Sequence, residues 1–252
     1  MTTSNAYASV PPPAAPAPSR RVTDAPTRMF HWLFALSFAG AYLTAESEHW
    51  RLLHVTLGYT MAGLLAFRVV YGLWGPRPVR LSVLWGKLSM APAWLKSVAQ
   101  AWRPGSAVTV HRRQGQNLVI ALAVLLMLAL VLPVTLTGYG TFNDWGLALG
   151  DDWLEELHEF FGNALLLLVF AHLGMIALLS ALRRQNMARP MLTGLAPGKG
   201  PSPVAHNRRW LAALLLLAVL GFGAWQWNTS PQGLVPLQGM GLTGNEPSGH
   251  DD

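Results

Sequence analysis

The sequence predicts an all-α integral membrane protein, a four-helix transmembrane bundle with a fifth, C-terminal, transmembrane helix. Three observations carry that expectation. Charged residues are only 12% of the 252 and hydrophobic ones 52%, so the chain has about half the charge of an ordinary soluble protein. Five apolar runs approach the roughly 20 residues needed to cross a bilayer. Sixteen of the 18 Lys and Arg residues fall in segments that such spans leave on one side. With no cysteine, disulfide frameworks, Cys-ligated zinc, iron–sulfur clusters and thioether-linked cofactors are excluded.

Residues 1–27, rich in Pro, Ala and Ser, read as a disordered cytoplasmic tail. Within them Ser19–Thr23 (SRRVT), followed by an apolar run through Ala39-Gly40-Ala41, resembles a twin-arginine signal. The short loop to the next span and a histidine inside the run favour an uncleaved first helix. The five runs are Met29–Ala45, Val55–Trp74, Leu118–Thr137, Phe160–Leu182 and Trp210–Trp227. Trp residues gather at their ends, as interfacial belts do. None shows the two-residue alternation of a barrel strand, which leaves helices as the way to satisfy the backbone in lipid.

Between the second and third runs, Gly75–Gly115 carries Trp94, Leu95, Val98 and Trp102 on one helical face. That is the pattern of an interfacial helix, but a loop resting on the headgroups is the reading expected here. Residues 195–227 form a cytoplasmic linker and the fifth helix, and 228–252 a flexible periplasmic tail. The basic segments place the N-terminus in the cytoplasm and the C-terminus in the periplasm. The pI of about 10.2 is therefore a matter of topology, and no nucleic-acid partner is expected.

Ionisable groups in spans are costly and point to function. His158 and His172 lie 14 residues apart on one helix, about 3.9 turns, so they share a face at levels roughly 21 Å apart. Such a helix can give one axial ligand to each of two stacked haems. His54, at the outer start of the second span, matches His158; His31, near the inner start of the first, matches His172. His31 looks shallow for that pairing, so either the fourth helix projects from the membrane or the first begins before its apolar run. Gly58 and Gly162, each four residues after an outer histidine on the same face, leave room for a porphyrin plane. Arg68, 14 residues after His54, reaches the inner level, either to pair with a haem propionate or to snorkel to the interface. Met61 reads as core filler. Asp144, Asp151, Asp152, Glu155, Glu156 and Glu159 gather at the outer mouth, as a rim that steers a basic periplasmic cytochrome c or as a solvated loop.

The stretches TRMFHW (27–32), LHVTLGY (53–59), FRVVYGLWGPR (67–77), ELHEFFGN (156–163), AHLGM (171–175) and LRRQNMARPMLTG (182–194) resemble the bacterial dihaem cytochrome b561 group, which includes the b-type subunit of nickel–iron hydrogenases. The resemblance covers about Val22 to Gly194. It implies a cytochrome b core over 28–194 with two haem b groups and bis-histidine ligation by His31, His54, His158 and His172. It also implies electron transfer between a membrane quinone and a redox partner, as a respiratory electron-transfer protein or a subunit of an oxidoreductase complex in the bacterial inner membrane. Where many relatives carry Gly-His-Asn, this chain has Gly115-Gln116-Asn117. Hydrogenase subunits, a periplasmic cytochrome c and superoxide-to-quinone chemistry are the alternatives within the group. A histidine-lined metal transporter expects broken midplane helices, whereas only Pro133 interrupts a span; a haemless membrane anchor expects colourless protein.

Overall fold

The computed structural model describes residues 18–104, 106, 108–145 and 153–230. They form eight α-helices, two short 3-10 turns (Glu48–Trp50 and Arg77–Val79) and one two-stranded sheet: β1 (Ser19–Arg21), α1 (Ala25–Leu43), α2 (Arg51–Trp74), α3 (Leu81–Leu88), α4 (Ala91–Ala101), α5 (Arg112–Phe142), α6 (Trp153–Arg183), α7 (Arg189–Thr193), β2 (Leu195–Pro197) and α8 (Arg209–Thr229). Four helical segments are long and apolar enough to cross a membrane: Glu48–Trp74, Arg112–Phe142, Trp153–Arg183 and Arg209–Thr229. α1 is not among them, because Pro26, Arg28 and His31 interrupt its apolar sequence.

α1 packs along α2, α5 along α6, α2 against α5, and α8 on α1. Backbone contact between α6 and either α1 or α2 is sparse. What joins the two helix pairs is an apolar layer of Met61, Val131 and Leu165, each at most 2% exposed. Met61 therefore serves the core. Leu165 stands seven residues from both His158 and His172, so this layer lies midway between the two histidine levels. A second cluster, Phe30, Leu64 and Leu215, ties α1, α2 and α8 together. In lipid such layers hold by close van der Waals packing rather than by water exclusion. The outward faces carry exposed Leu126, Leu136, Leu167, Phe170, Leu178 and Leu217, as helices apolar all round require of their surroundings.

The helix starts differ from the apolar runs for physical reasons. The tail expected over residues 1–27 does not extend that far: β1 pairs antiparallel with β2, with Arg20 opposite Ala196, and residues 1–17 lie outside the described residues. Asp24 then caps α1, its carboxylate accepting the Thr27 N–H at 3.2 Å, with Pro26 in the first turn; both are helix-start signals. α1 accordingly begins four residues before its apolar run, which lowers His31 into the helix. α6 begins at Trp153 with Glu155 and Glu156 in its first turn, where acids complement the helix dipole.

The segment after α2 holds two helices, not a single loop. In α4 only part of the expected face is used: Trp94 packs on α5, while Leu95 and Trp102 stay exposed. The seat is Gly115, where a Cβ would overlap the Trp94 indole. The expected tail 228–252 is helical through Thr229, and residues 231–252 lie outside the described residues.

Overpacking a rigid contact costs about 1–3 kcal/mol, so Gly115→Ala should lift Trp94 from α5. The expected result in solubilised protein is about tenfold faster tryptic cleavage after Lys96 with unchanged helix content; an unchanged cleavage rate would show that Trp94 does not hold α4.

Candidate metal centre

Three helices carry the four histidines: His31 on α1, His54 on α2, His158 and His172 on α6. All four are half-buried. The structure brings His54 and His158 together, with ring centroids 5.9 Å apart and planes crossed at 83°. A metal bonded to two imidazole nitrogens at about 2 Å each sets the ring centroids about 6 Å apart. The observed pair has that separation across helices whose backbones scarcely touch.

Each ring is fixed by its other nitrogen. His54 Nδ1 lies 2.8 Å from the Ala41 carbonyl oxygen, in the last turn of α1, where that oxygen also accepts from the Thr44 hydroxyl at 3.1 Å. His158 Nδ1 lies 2.9 Å from the Val134 carbonyl and 3.4 Å from Thr137 Oγ1. A carbonyl accepts and cannot donate, so Nδ1 carries the proton in both neutral rings and Nε2 keeps its lone pair for a metal. The approach to Val134 depends on Gly138, where a Cβ would stand 2.7 Å from His158 Cε1. Ala41, Val134, Thr137 and Gly138 were not singled out from sequence. Ala41 and Val134 act through the backbone, whose partners no side-chain pattern reveals, and Thr137 through its hydroxyl; Gly138, one turn after Val134, was the one readable signal.

The inner histidines are less tightly drawn together. His31 and His172 lie within electrostatic reach of each other. His31 Nδ1 is buried without a hydrogen-bond partner, an imidazole nitrogen that the surrounding protein leaves unsatisfied. Arg68 is enclosed by protein. It is 8% exposed with Nη1 buried and unpartnered, beside Gly72, where a Cβ would come within 2.9 Å of that atom.

Gly58 and Gly162 behave alike: a Cβ at either would meet no heavy atom within 4 Å. The helix faces one turn beyond His54 and His158 are therefore smooth and uncovered by other side chains. Among the described residues no three His, Asp or Glu side chains converge to hold a bare ion. Two crossed imidazoles flanked by flat helix faces instead fit a metal whose remaining ligands come in a planar ring, and these residues fit haem. His49, His111 and His206 are exposed and join neither pair, and His250 lies outside the described residues. Of the outer acids, Asp144, Glu155, Glu156 and Glu159 are exposed, and Asp151 and Asp152 lie outside the described residues. Gln116 accepts a hydrogen bond from Arg183, linking the inner ends of α5 and α6.

Fold and site together define a class: a multi-span helical membrane protein that brings imidazoles of two different helices side by side. The family model described as prokaryotic cytochrome b561 matches residues 22–194, more than half of the chain, and the chain belongs to that family. Membership brings b-type haem and transmembrane electron transfer and places the chain among multi-pass inner-membrane proteins. A search of curated proteins and a search of solved structures each gave no match.

Gly138→Ala should push the His158 ring off Val134. The expected result is a lower haem-to-protein ratio at unchanged helix content; full haem content in that variant would show that the ring's seat is not needed.

Proposed function

We propose that this chain is a dihaem b-type cytochrome that passes single electrons between a membrane quinone and a redox partner at the periplasmic face. The observation that carries the reading is the crossed His54–His158 pair, each Nδ1 on a backbone carbonyl and each Nε2 left for iron. His54 and His158 hold the outer haem, and His31 and His172 the inner one. Gly58 and Gly162 leave room for the outer porphyrin, and Arg68 faces a propionate of the inner one. Bis-histidine iron supplies one-electron redox chemistry with no open position for oxygen.

The protein's own part is to orient and to insulate. The Ala41 and Val134 carbonyls fix the ring planes, which raises ligand basicity. The Met61–Val131–Leu165 layer keeps water from the space between the two levels. With α1 counted as a span beside the four more apolar segments, and the basic segments in the cytoplasm, the outer pair faces the periplasm and the inner pair the cytoplasm. Exposed Asp144, Glu155, Glu156 and Glu159 near His158 favour a basic soluble partner such as a cytochrome c. Electron exchange slowed by salt identifies that partner, and co-purified subunits identify a hydrogenase.

The deciding experiment is a reduced-minus-oxidised spectrum of purified protein with a haem count. Two haems per chain are expected, and one in His158→Ala. Colourless wild-type protein from haem-replete cells, or a His158→Ala variant that keeps both haems, would contradict the proposal.

A further inference from the structure

One buried charge cluster has no part in ligation, at the inner ends of α1, α2 and α8. Asp24 is 0% exposed. Besides capping α1, its carboxylate accepts the Tyr71 O–H, and Arg208 Nη1 stands 3.9 Å from its Oδ2. Arg68 lies within electrostatic reach of Asp24 and Tyr71, yet its Nη1 has no partner.

Arg208 belongs to the segment beyond the family-matched residues 22–194. Its backbone sits in the left-handed region, at φ 45°, a conformation that a non-glycine residue keeps only when its surroundings hold it. Those surroundings are visible. The Ala25 N–H donates to the Asn207 carbonyl at 3.1 Å, and the Val204 N–H to Arg21 at 3.4 Å. Val204 is 1% exposed. The entrance to α8 is thus bolted to the start of α1.

The charges do not cancel within the cluster. It holds two guanidinium groups and one carboxylate, and the Tyr71 phenol brings no charge while its proton is in the hydrogen bond. One positive charge is left over, and a buried uncompensated charge is costly. Asp24 is engaged by Arg208 and Tyr71, so the free nitrogen of Arg68 is the group that still lacks an anion.

We propose that Arg208 is a positioning residue for the inner redox site: by holding Asp24, it reserves Arg68 for a carboxylate of the inner haem. The appended helix α8 is on this account an electrostatic part of the site, not only an extra anchor. The inference rests on the inner haem lying between His31 and His172. Positive charge beside an iron favours its reduced form, so loss of Arg208 favours the oxidised form twice over. It removes one cation, and it frees Asp24 to compete for the other.

The test is an equilibrium redox titration of the purified full-length protein, read in the haem absorbance against mediators. Arg208→Gln should shift the reduced-to-oxidised ratio of one haem about tenfold toward oxidised at fixed potential, with the other haem unmoved. Arg208→Lys should restore most of the ratio, and Asp24→Asn, which still caps a helix, should shift it the opposite way. The inference is overturned if Arg208→Gln keeps two haems and both ratios, or if Arg208→Lys shifts as far as Arg208→Gln. Should Arg208→Gln fail to accumulate, Asp24→Asn decides alone, and no shift, or one toward oxidised, overturns the inference. A wild-type protein lacking the inner haem defeats the dihaem reading itself, and the haem count shows this before any titration.

Discussion

Two hydrogen bonds organise this molecule, His54 Nδ1 to the Ala41 carbonyl and His158 Nδ1 to the Val134 carbonyl. An imidazole among membrane helices is costly unless its polar atoms are engaged. These bonds engage one nitrogen of each ring and leave the other free, so that the tautomer and the ring plane follow from a single contact. The contact makes its own demands on the helices. α1 must end near Leu43 so that Ala41 offers a carbonyl, and α5 must carry glycine at 138 so that an imidazole can reach its backbone.

The rest of the bundle keeps these contacts in register. Helix pairs α1–α2 and α5–α6 meet through Met61, Val131 and Leu165, midway between the histidine levels, and again at the outer end, where Tyr59 lies against Tyr139. At the inner end, order comes from polar groups instead, with Asp24 joining the starts of α1 and α8 to Tyr71 of α2. The family match ends at residue 194, yet Leu215 and Arg208 reach into the core from beyond it.

Much of the fold is legible in the sequence because membrane helices are written in long apolar runs. The boundaries are less so, since hydropathy fades before a helix ends: Arg112–Asn117 and Gly138–Phe142 are helical though they flank the apolar run of α5. Asp24 and Pro26 did mark the true start of α1, but the Pro- and Ala-rich composition before them masked the signal. The shared face of His158 and His172 followed from their 14-residue interval, and the pairing of His54 with His158 from where their spans begin at the outer side, and the structure brings that pair together. The seats of those histidines did not, since carbonyl oxygens carry no sequence identity. The Asp24–Arg208 link was equally hidden, because it joins remote segments and each residue alone reads as an ordinary interfacial charge.

The central claim is that imidazoles from α2 and α6 grip one haem iron from opposite sides with their planes crossed. Electron paramagnetic resonance of the oxidised protein tests it directly, because crossed axial rings leave two iron d orbitals nearly equal in energy. The account predicts a low-spin ferric signal of very high anisotropy that disappears in His54→Ala. A wild-type signal that is high-spin, or a low-spin signal that persists unchanged without His54, would contradict it.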